Sequence, residues 1–176
     1  MLIRPAANRD TKAIWAIMER ASFGGARPTP FHATRAKSAR AYWLSMEREG
    51  FLAEDNGDIV GTYCLQANRN GGGAQVANCG YMTAVSATGR GVARAMCAHS
   101  LDRARARGFR AMQYNFVIST NDRAVRLWQS FGFEIVGHLP GSLQHPTLGY
   151  VDAYIMQPSP AQFALMRAAM LHMLHA

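Results

Sequence analysis

The stretch TGRGVARA, residues 88–95, puts two glycines and several small residues at the start of a long helical pattern. The first turn of an α-helix has backbone N–H groups without partners inside the helix, and the helix dipole makes that end positive. Such an end binds phosphate when no side chain blocks the approach. Gly89 and Gly91 leave the backbone bare, Ala93 keeps the next turn low, and Arg90 and Arg94 add positive charge. The stretch therefore predicts a cradle for a pyrophosphate group, although a Gly-x-Gly turn can also simply join a strand to a helix.

Two other phosphate-binding motifs do not fit this context. A P-loop requires the pattern G-x-x-x-x-G-K-[ST], and no Lys-Ser or Lys-Thr pair follows these glycines. A dinucleotide-binding turn requires an acidic residue at the next strand, and the predicted strand FRAMQYNFVIS, residues 109–119, contains none. The cradle therefore suits a different class of phosphate-containing ligand.

Outward from this stretch, hydrophobic periodicity and turn residues predict one α/β domain with a mixed central sheet of about seven strands flanked by helices. Asn56-Gly57 is a strong hairpin signal, and Gly108 and Gly132 end two helices. The predicted strands cover residues 2–6, 51–55, 58–66, 74–83, 109–119, 133–139 and 149–156. The predicted helices are one capped by Asp10, one over 38–49 that ends at Gly50, those over 90–107 and 121–131, and a last one from Ser159. Residues 22–37 and 140–148 are predicted as irregular loops.

Length and composition indicate a globular protein. A chain of 176 residues with 49% hydrophobic and 17% charged residues suits one domain with its own core. No apolar run is long enough to span a membrane and no signal peptide is visible, so we expect a cytoplasmic location. The widely spaced Cys64, Cys79 and Cys97 are expected to be buried and reduced, and no metal site is expected.

The net charge of +8 includes six arginines between Arg90 and Arg110, which favours an anionic partner. Nucleic acid and a phosphorylated small molecule are the two classes to consider. Aromatic residues are not interleaved with these arginines, so we do not expect nucleic acid.

Two blocks of sequence resemble the motifs of the GCN5-related N-acetyltransferases, the GNAT family. Residues 83–93, TAVSATGRGVA, resemble the acyl-CoA signature V-x-P-x-x-[RQ]-G-x-G-x-[GA]. Residues 121–137, NDRAVRLWQSFGFEIVG, resemble the block N-x-x-A-x-x-L-Y-x-x-x-G-F. The resemblance is specific over residues 79–139. It implies a GNAT acetyltransferase domain over 1–157, with 158–176 as a C-terminal helix that packs on this domain or at a dimer interface.

The resemblance implies that acetyl-CoA binds at the cradle. Because pyrophosphate contacts there are mainly to backbone, binding should tolerate Thr88, where the family usually has Arg or Gln. A backbone N–H near Met82 or Thr83 would stabilise the oxyanion, and Asn121 would bind the pantetheine arm or cap its helix. The residues expected to bind the co-substrate are Met82, Thr83, Thr88, Gly89, Arg90, Gly91, Val92, Ala93 and Asn121.

Two catalytic positions of the family also depart from the pattern. The predicted fourth strand has no acid or histidine where many members have a glutamate base. Trp128 stands where many members have a tyrosine that protonates the leaving thiolate. An indole N–H cannot be a general acid, so we expect Trp128 to be a core aromatic. The role of proton donor is then unfilled, taken by Tyr114 or Tyr150, or supplied by solvent.

Asp152 is the best candidate for the missing base. Strand alternation in GYVDAYIM, residues 149–156, puts it on one face with Tyr150 and Tyr154. The alternative is a structural aspartate paired with an arginine. His145, in the predicted loop before this strand, could act directly or through water. The candidate catalytic residues are therefore Asp152, Tyr150 and His145, while Phe31 and His32 lie on a loop expected to wall the acceptor site.

The resemblance implies an N-acetyltransferase in which a primary amine attacks the thioester of acetyl-CoA directly in a ternary complex. The GYVDAYIM ending resembles that of members that acetylate small amino-acid-like molecules, so the expected acceptor is a small amine. A homodimer is expected because members often dimerise. A protein N-terminus or lysine as acceptor, and a CoA-binding domain without catalysis, remain open alternatives.

Overall fold

Seven strands form a mixed sheet in a computed structural model that describes residues 1–20, 48–145 and 147–165. The strands are β1 (Leu2–Pro5), β2 (Glu49–Asp55), β3 (Asp58–Ala67), β4 (Val76–Thr83), β5 (Ala111–Ile118), β6 (Glu134–His145) and β7 (Gly149–Gln157). The sheet order is β1-β2-β3-β4-β5-β7-β6, with β4 and β5 parallel and the β1–β2, β2–β3, β5–β7 and β6–β7 pairs antiparallel. The predicted α/β class and the strand number are confirmed.

The helices among the described residues are α1 (Thr11–Arg20), α2 (Val92–Ala106), α3 (Asp122–Ser130) and α4, whose described part is residues 160–165. Contacts group the chain into two compact units. Of the described residues, the first unit has 1–20, 48–66 and 79–100, and the second has 67–78 and those from 101 onward. No helix in these ranges has both the length and the apolar character needed to cross a membrane.

The core of the first unit forms where α1 packs on the sheet. Ile14 and Met18, one turn apart, are buried against Leu52 of β2 and Cys64 of β3. The hairpin predicted at Asn56-Gly57 is confirmed: the two residues have φ values of 52° and 87°, and Asp55 pairs with Asp58. Positive φ at both turn positions gives the twist that antiparallel strands need.

The end of the predicted helix over 38–49 is wrong, and residues 38–47 lie outside the described residues. Glu49 and Gly50 already belong to β2, where they pair with Leu65 and Cys64. Gly50 also accepts a hydrogen bond from the backbone N–H of Ala6 at 2.9 Å. Hydrogen-bond partners that are distant in sequence thus extend β2 through Gly50, a residue whose local sequence predicts the end of a helix.

The predicted loop over 140–148 is also wrong over residues 140–145, because β6 continues through Pro140 and Gly141 to His145. The register with β7 shifts between Leu139, opposite Ala153, and Leu143, opposite Val151. Residues 140–142 therefore form a bulge opposite Asp152. A proline is tolerated in a strand at such a bulge, so this Pro-Gly pair bends the strand without ending it.

The start of α4 packs within the second unit. Phe163 is buried, with the guanidinium of Arg105 5.1 Å above its ring and Arg105 Nε donating to its carbonyl at 3.1 Å. Ser159 and Gln162 cap the helix reciprocally, at 2.8 and 3.1 Å. The other residues of the predicted apolar stripe, Met166, Met170 and Met173, lie outside the described residues.

Candidate active site

The glycine-rich turn exposes backbone at the start of α2. After a 3₁₀ turn over Val85–Ala87, Gly89 and Gly91 adopt φ values of 81° and 78°, which favour glycine. A Cβ atom built at either glycine would meet no other atom within 4 Å. The space above this backbone is therefore open to a ligand.

The N-terminus of α2 supplies hydrogen-bond donors at this open surface. The first bond of the helical pattern runs from Ala95 N–H to the Gly91 carbonyl at 3.0 Å. The N–H groups of Val92 and Ala93 precede it and have no partner inside the helix. With the positive end of the helix dipole, they form an environment that stabilises an anion.

Close packing between α2 and β3 holds this helix end in place. A Cβ atom at Gly61 of β3 would lie 2.8 Å from Val92 Cγ1 and 2.9 Å from Met96 Sδ, so a larger residue would force these side chains of α2 to shift. Ala84 N–H donates to the Val60 carbonyl at 2.9 Å and fixes the start of the turn on the same strand. Gly61 carried no recognisable signal in the sequence, because its requirement depends on a helix 31 residues further along the chain.

Arg90 is engaged by a carboxylate. Its Nη2 donates to Asp55 Oδ2, and Asp55 also lies 3.7 Å from the N-terminal amine. Arg90 is nevertheless half-exposed. An arriving phosphate would therefore compete with Asp55 for this guanidinium, which reduces the charge that Arg90 adds to the cradle.

Met82 and Thr83, the expected site of the oxyanion donor, end β4. Both are partly buried, and Met82 packs against the core cluster that contains Ile14 and Leu52. This packing fixes the backbone at the end of the strand.

In the second unit, Asn121 is the N-cap of α3, with Oδ1 accepting from Ala124 N–H at 3.2 Å. Further along α3, Trp128 is buried and its ring lies 4.9 Å from that of Tyr114. Tyr114 in turn stacks on Phe133 at 4.2 Å. Trp128 and Tyr114 thus share an aromatic core cluster.

Asp152 is held by two groups of β6. Its Oδ1 accepts from Gly141 N–H at 2.8 Å, and its Oδ2 lies 2.7 Å from His138 Nε2. The backbone N–H and the imidazole both favour the ionised form, so they hold the pKa of this carboxyl below its usual range. Asp152 is therefore ionised and stabilises the bulge through Gly141. Its ionic partner among the described residues is His138, not the arginine considered from the sequence.

The structure separates the other candidates by exposure. Tyr150 is 74% exposed on β7. His145 is buried as the last residue of β6, and its Nδ1 lies 3.3 Å from Thr147 N, Thr147 Oγ1 and Leu148 N. Its predicted loop position is therefore wrong. Phe31 and His32 lie outside the described residues.

Comparison with known proteins identifies the family. Residues 12–133 match the model of the acetyltransferase (GNAT) family, which covers more than half of the chain. The chain belongs to the GNAT family. A GCN5-related N-acetyltransferase from Kribbella flavida is 37% identical, with a TM-score of 0.81 over 89% of this chain and 95% of that one.

Two further relatives extend this comparison. The N-acetyltransferase aca1 of Schizosaccharomyces pombe is 31% identical over 101 residues, 56% of this chain and 48% of that protein, so the chain spans about half the length of this curated relative. YncA from Salmonella typhimurium, an acetyltransferase solved with its cofactor acetyl-CoA, shares the fold at 24% identity, with a TM-score of 0.71 over 89% of this chain and 92% of that one. Membership in the GNAT family confirms the resemblance drawn from residues 83–93 and 121–137.

His138 is the residue of this region that sequence reasoning missed. It lies on β6, directly opposite Tyr154 of β7, and its ring packs against the tyrosine ring at 5.6 Å. A lone histidine in a strand has no distinctive sequence signal. Its pairing with Asp152 depends on the register of two strands and on the bulge between them.

Proposed function

We propose that this protein is an acyl-CoA-dependent N-acetyltransferase that transfers the acetyl group of acetyl-CoA to the primary amine of a small, amino-acid-like molecule. The observation that carries the proposal is the open backbone at Gly89 and Gly91 in front of the α2 N-terminus. Membership in the GNAT family supports the same reaction class.

The cradle fits the pyrophosphate of a CoA thioester. Val92 and Ala93 offer backbone N–H groups, and no Cβ atom from either glycine intrudes on the approach. Arg94 is exposed beside them and would add positive charge. Thr88 would contribute a hydroxyl donor, and Asn121 remains a proposed contact for the pantetheine arm in addition to its capping role.

The proposed reaction is direct attack of the amine nitrogen on the thioester carbonyl carbon. The N–C bond forms, the C–S bond breaks, and the thiolate leaves with a proton. A backbone N–H near Met82 or Thr83 would stabilise the negative charge that develops on the carbonyl oxygen. Tyr150, exposed on β7, is the proposed proton donor to sulfur, because Tyr114 is buried in the aromatic cluster and Trp128 has no titratable group.

The acceptor, the oligomeric state and the compartment are the finer parts of this proposal. The GYVDAYIM ending favours a small amine. The three buried cysteines form no disulfide among the described residues, which suits the reducing cytoplasm. A homodimer is the proposed assembly, and the helix predicted from the sequence over 158–176 is the candidate contact.

Amine-dependent release of CoA thiol from acetyl-CoA tests the proposal. The panel would contain free amino acids, a polyamine, and short peptides with either a free N-terminus or a lysine. Release with free amino acids alone supports the small-amine assignment, whereas release with the peptides alone overturns it in favour of a protein acceptor. Acetyl-CoA binding without thiol release for any amine would show a binding domain and refute the proposed reaction.

A further inference from the structure

We propose that His138 is the catalytic base that takes the proton of the acceptor ammonium, and that Asp152 is its positioning residue. This inference rests on the proposed acetyl transfer and names the group that activates the amine. It replaces Asp152 itself as the candidate proton acceptor.

The first step of the argument is the state of the carboxylate. Both oxygens of Asp152 are engaged, one by Gly141 N–H and the other by His138 Nε2. These contacts favour the charged form and lower the pKa of the carboxyl. A carboxylate that is stabilised as an anion accepts a proton poorly, but it fixes the orientation of a histidine well.

The second step is the tautomer of the imidazole. With Nε2–H donating to Asp152, a neutral His138 has its lone pair on Nδ1. Within the part of the chain that the structure describes, no hydrogen bond engages Nδ1, and the side chain is 52% exposed. The base nitrogen is therefore oriented and open to an incoming amine. A base held by a third group in this way is the usual arrangement for proton transfer in enzymes.

The third step is the strand geometry that creates the pair. His138 is opposite Tyr154, so Asp152 is its diagonal neighbour on the adjacent strand. The bulge over 140–142 turns Gly141 N–H towards the carboxylate, and Gly141 adopts a φ of 56° to do so. The titratable groups that contact His138 are Asp152 and Tyr154.

The remaining candidates do not have this combination of exposure and orientation. His145 is buried, with donors around its Nδ1. His99 has its Nδ1 occupied by the hydroxyl of Tyr63. The strand β4 contains no acid or histidine. Among the described histidines, His138 alone presents an exposed ring nitrogen with a carboxylate behind it.

The proton balance of the step is simple. An amine that arrives as an ammonium gives one proton to His138 Nδ1 and attacks as the free amine. As the C–S bond breaks, Tyr150 gives its proton to the thiolate and regains the second proton of the amine nitrogen, giving the amide and the CoA thiol. The imidazolium then returns its proton to water. No oxidant, reductant or metal is needed.

The test compares His138→Gln with Tyr154→Phe, using the amine that the panel identifies. Glutamine can still donate to Asp152 and preserve the bulge, but it cannot take a proton. Phenylalanine keeps the ring that packs on His138 and removes the other titratable group in contact with it. Thermal unfolding and acetyl-CoA calorimetry establish that each variant is folded and binds the co-substrate.

We expect His138→Gln to lower kcat/KM for the amine by about 10²-fold at neutral pH, which is the size of a lost general base, and Tyr154→Phe to stay within about threefold. The deficit should shrink as the pH rises, because more of the amine is then already deprotonated. Added imidazole should restore part of the activity of His138→Ala, which also serves as the test if the glutamine variant does not fold.

Three results would overturn the inference. One is a His138→Gln enzyme as active as the wild type, which refutes the inference alone and leaves the acetyl transfer standing. Another is a loss that is equal at every pH and is not rescued by imidazole, which would make His138 a structural partner of the bulge. A wild-type protein that releases no thiol with any amine would refute the proposed function, and this inference with it.

Discussion

Replacing Gly91 with glutamate should abolish tight acetyl-CoA binding, whereas the same change at Gly108 should not. The two glycines are matched, with φ values of 78° and 79° and no atom within 4 Å of a Cβ at either position. Each substitution therefore carries the same left-handed strain, about 1–2 kcal/mol. They differ in place, because Gly91 precedes the N-terminus of α2 and Gly108 follows its C-terminus.

The expected loss follows from the donors at that N-terminus. A glutamate at 91 would put a side chain and a negative charge where the pyrophosphate has to approach the N–H groups of Val92 and Ala93. Losing two charge-assisted hydrogen bonds at about 1.5–3 kcal/mol each weakens binding by about two orders of magnitude or more. The strain in Gly108→Glu lowers the stability of the fold and does not touch the proposed site, so the acetyl-CoA affinity of this variant should stay within about threefold of wild type.

Isothermal calorimetry with acetyl-CoA, on variants shown by thermal unfolding to be folded, measures the difference. Equal affinity of Gly91→Glu and wild type would place the co-substrate elsewhere. An equal loss in both variants would mean that strain in the turns is responsible, and would remove the case for a cradle.

Three further predictions follow from the described side chains. Trp128→Phe should reduce the free energy of unfolding by about 1–2 kcal/mol, because it leaves a gap in a buried aromatic cluster, and it should not change the pH dependence of kcat. Loss of the basic limb of the kcat–pH profile would instead show a role in proton transfer. Asp152→Asn should lower kcat/KM for the amine by about 10²-fold and keep the acetyl-CoA affinity within about threefold of wild type. An equal fall in both quantities would show that Asp152 only supports the structure of the bulge. The hydrogen bond from Arg4 lowers the pKa of Asp10 in the fold, so this ion pair stabilises the protein above the unfolded value of about 4, and the stabilisation is lost as the pH falls further. Asp10→Asn should therefore unfold more easily at pH 7 but lose less stability on acidification, and parallel stability curves for the two proteins would contradict this.

The features that sequence reasoning recovered are local. The hairpin at Asn56-Gly57 depends on two adjacent residues, and the exposed backbone at Gly89 and Gly91 depends on glycines beside the helix that they precede. The chemistry of a helix N-terminus is a property of one turn of chain. Such features can be predicted because the residues that determine them are contiguous.

The features that it missed depend on partners far apart in the sequence. Gly61 matters because α2 packs on it, and the strand start at Glu49 depends on pairing with Leu65. The bulge that brings His138 next to Asp152 depends on the register of β6 on β7. The Pro-Gly pair at 140–141 led the sequence to predict a loop there instead. Strand register follows from the packed sheet as a whole, so no single stretch of sequence reveals it.

Mass analysis of the acceptor after a complete reaction tests the central claim most directly. With the active amine from the panel and limiting acetyl-CoA, the acetylated amine and the free CoA thiol should form in equal amounts, and both should form much more slowly with Gly91→Glu at a co-substrate concentration that just saturates the wild type. Thiol release without an acetylated amine would show that the protein hydrolyses the thioester or does not act on amines, and would contradict the account.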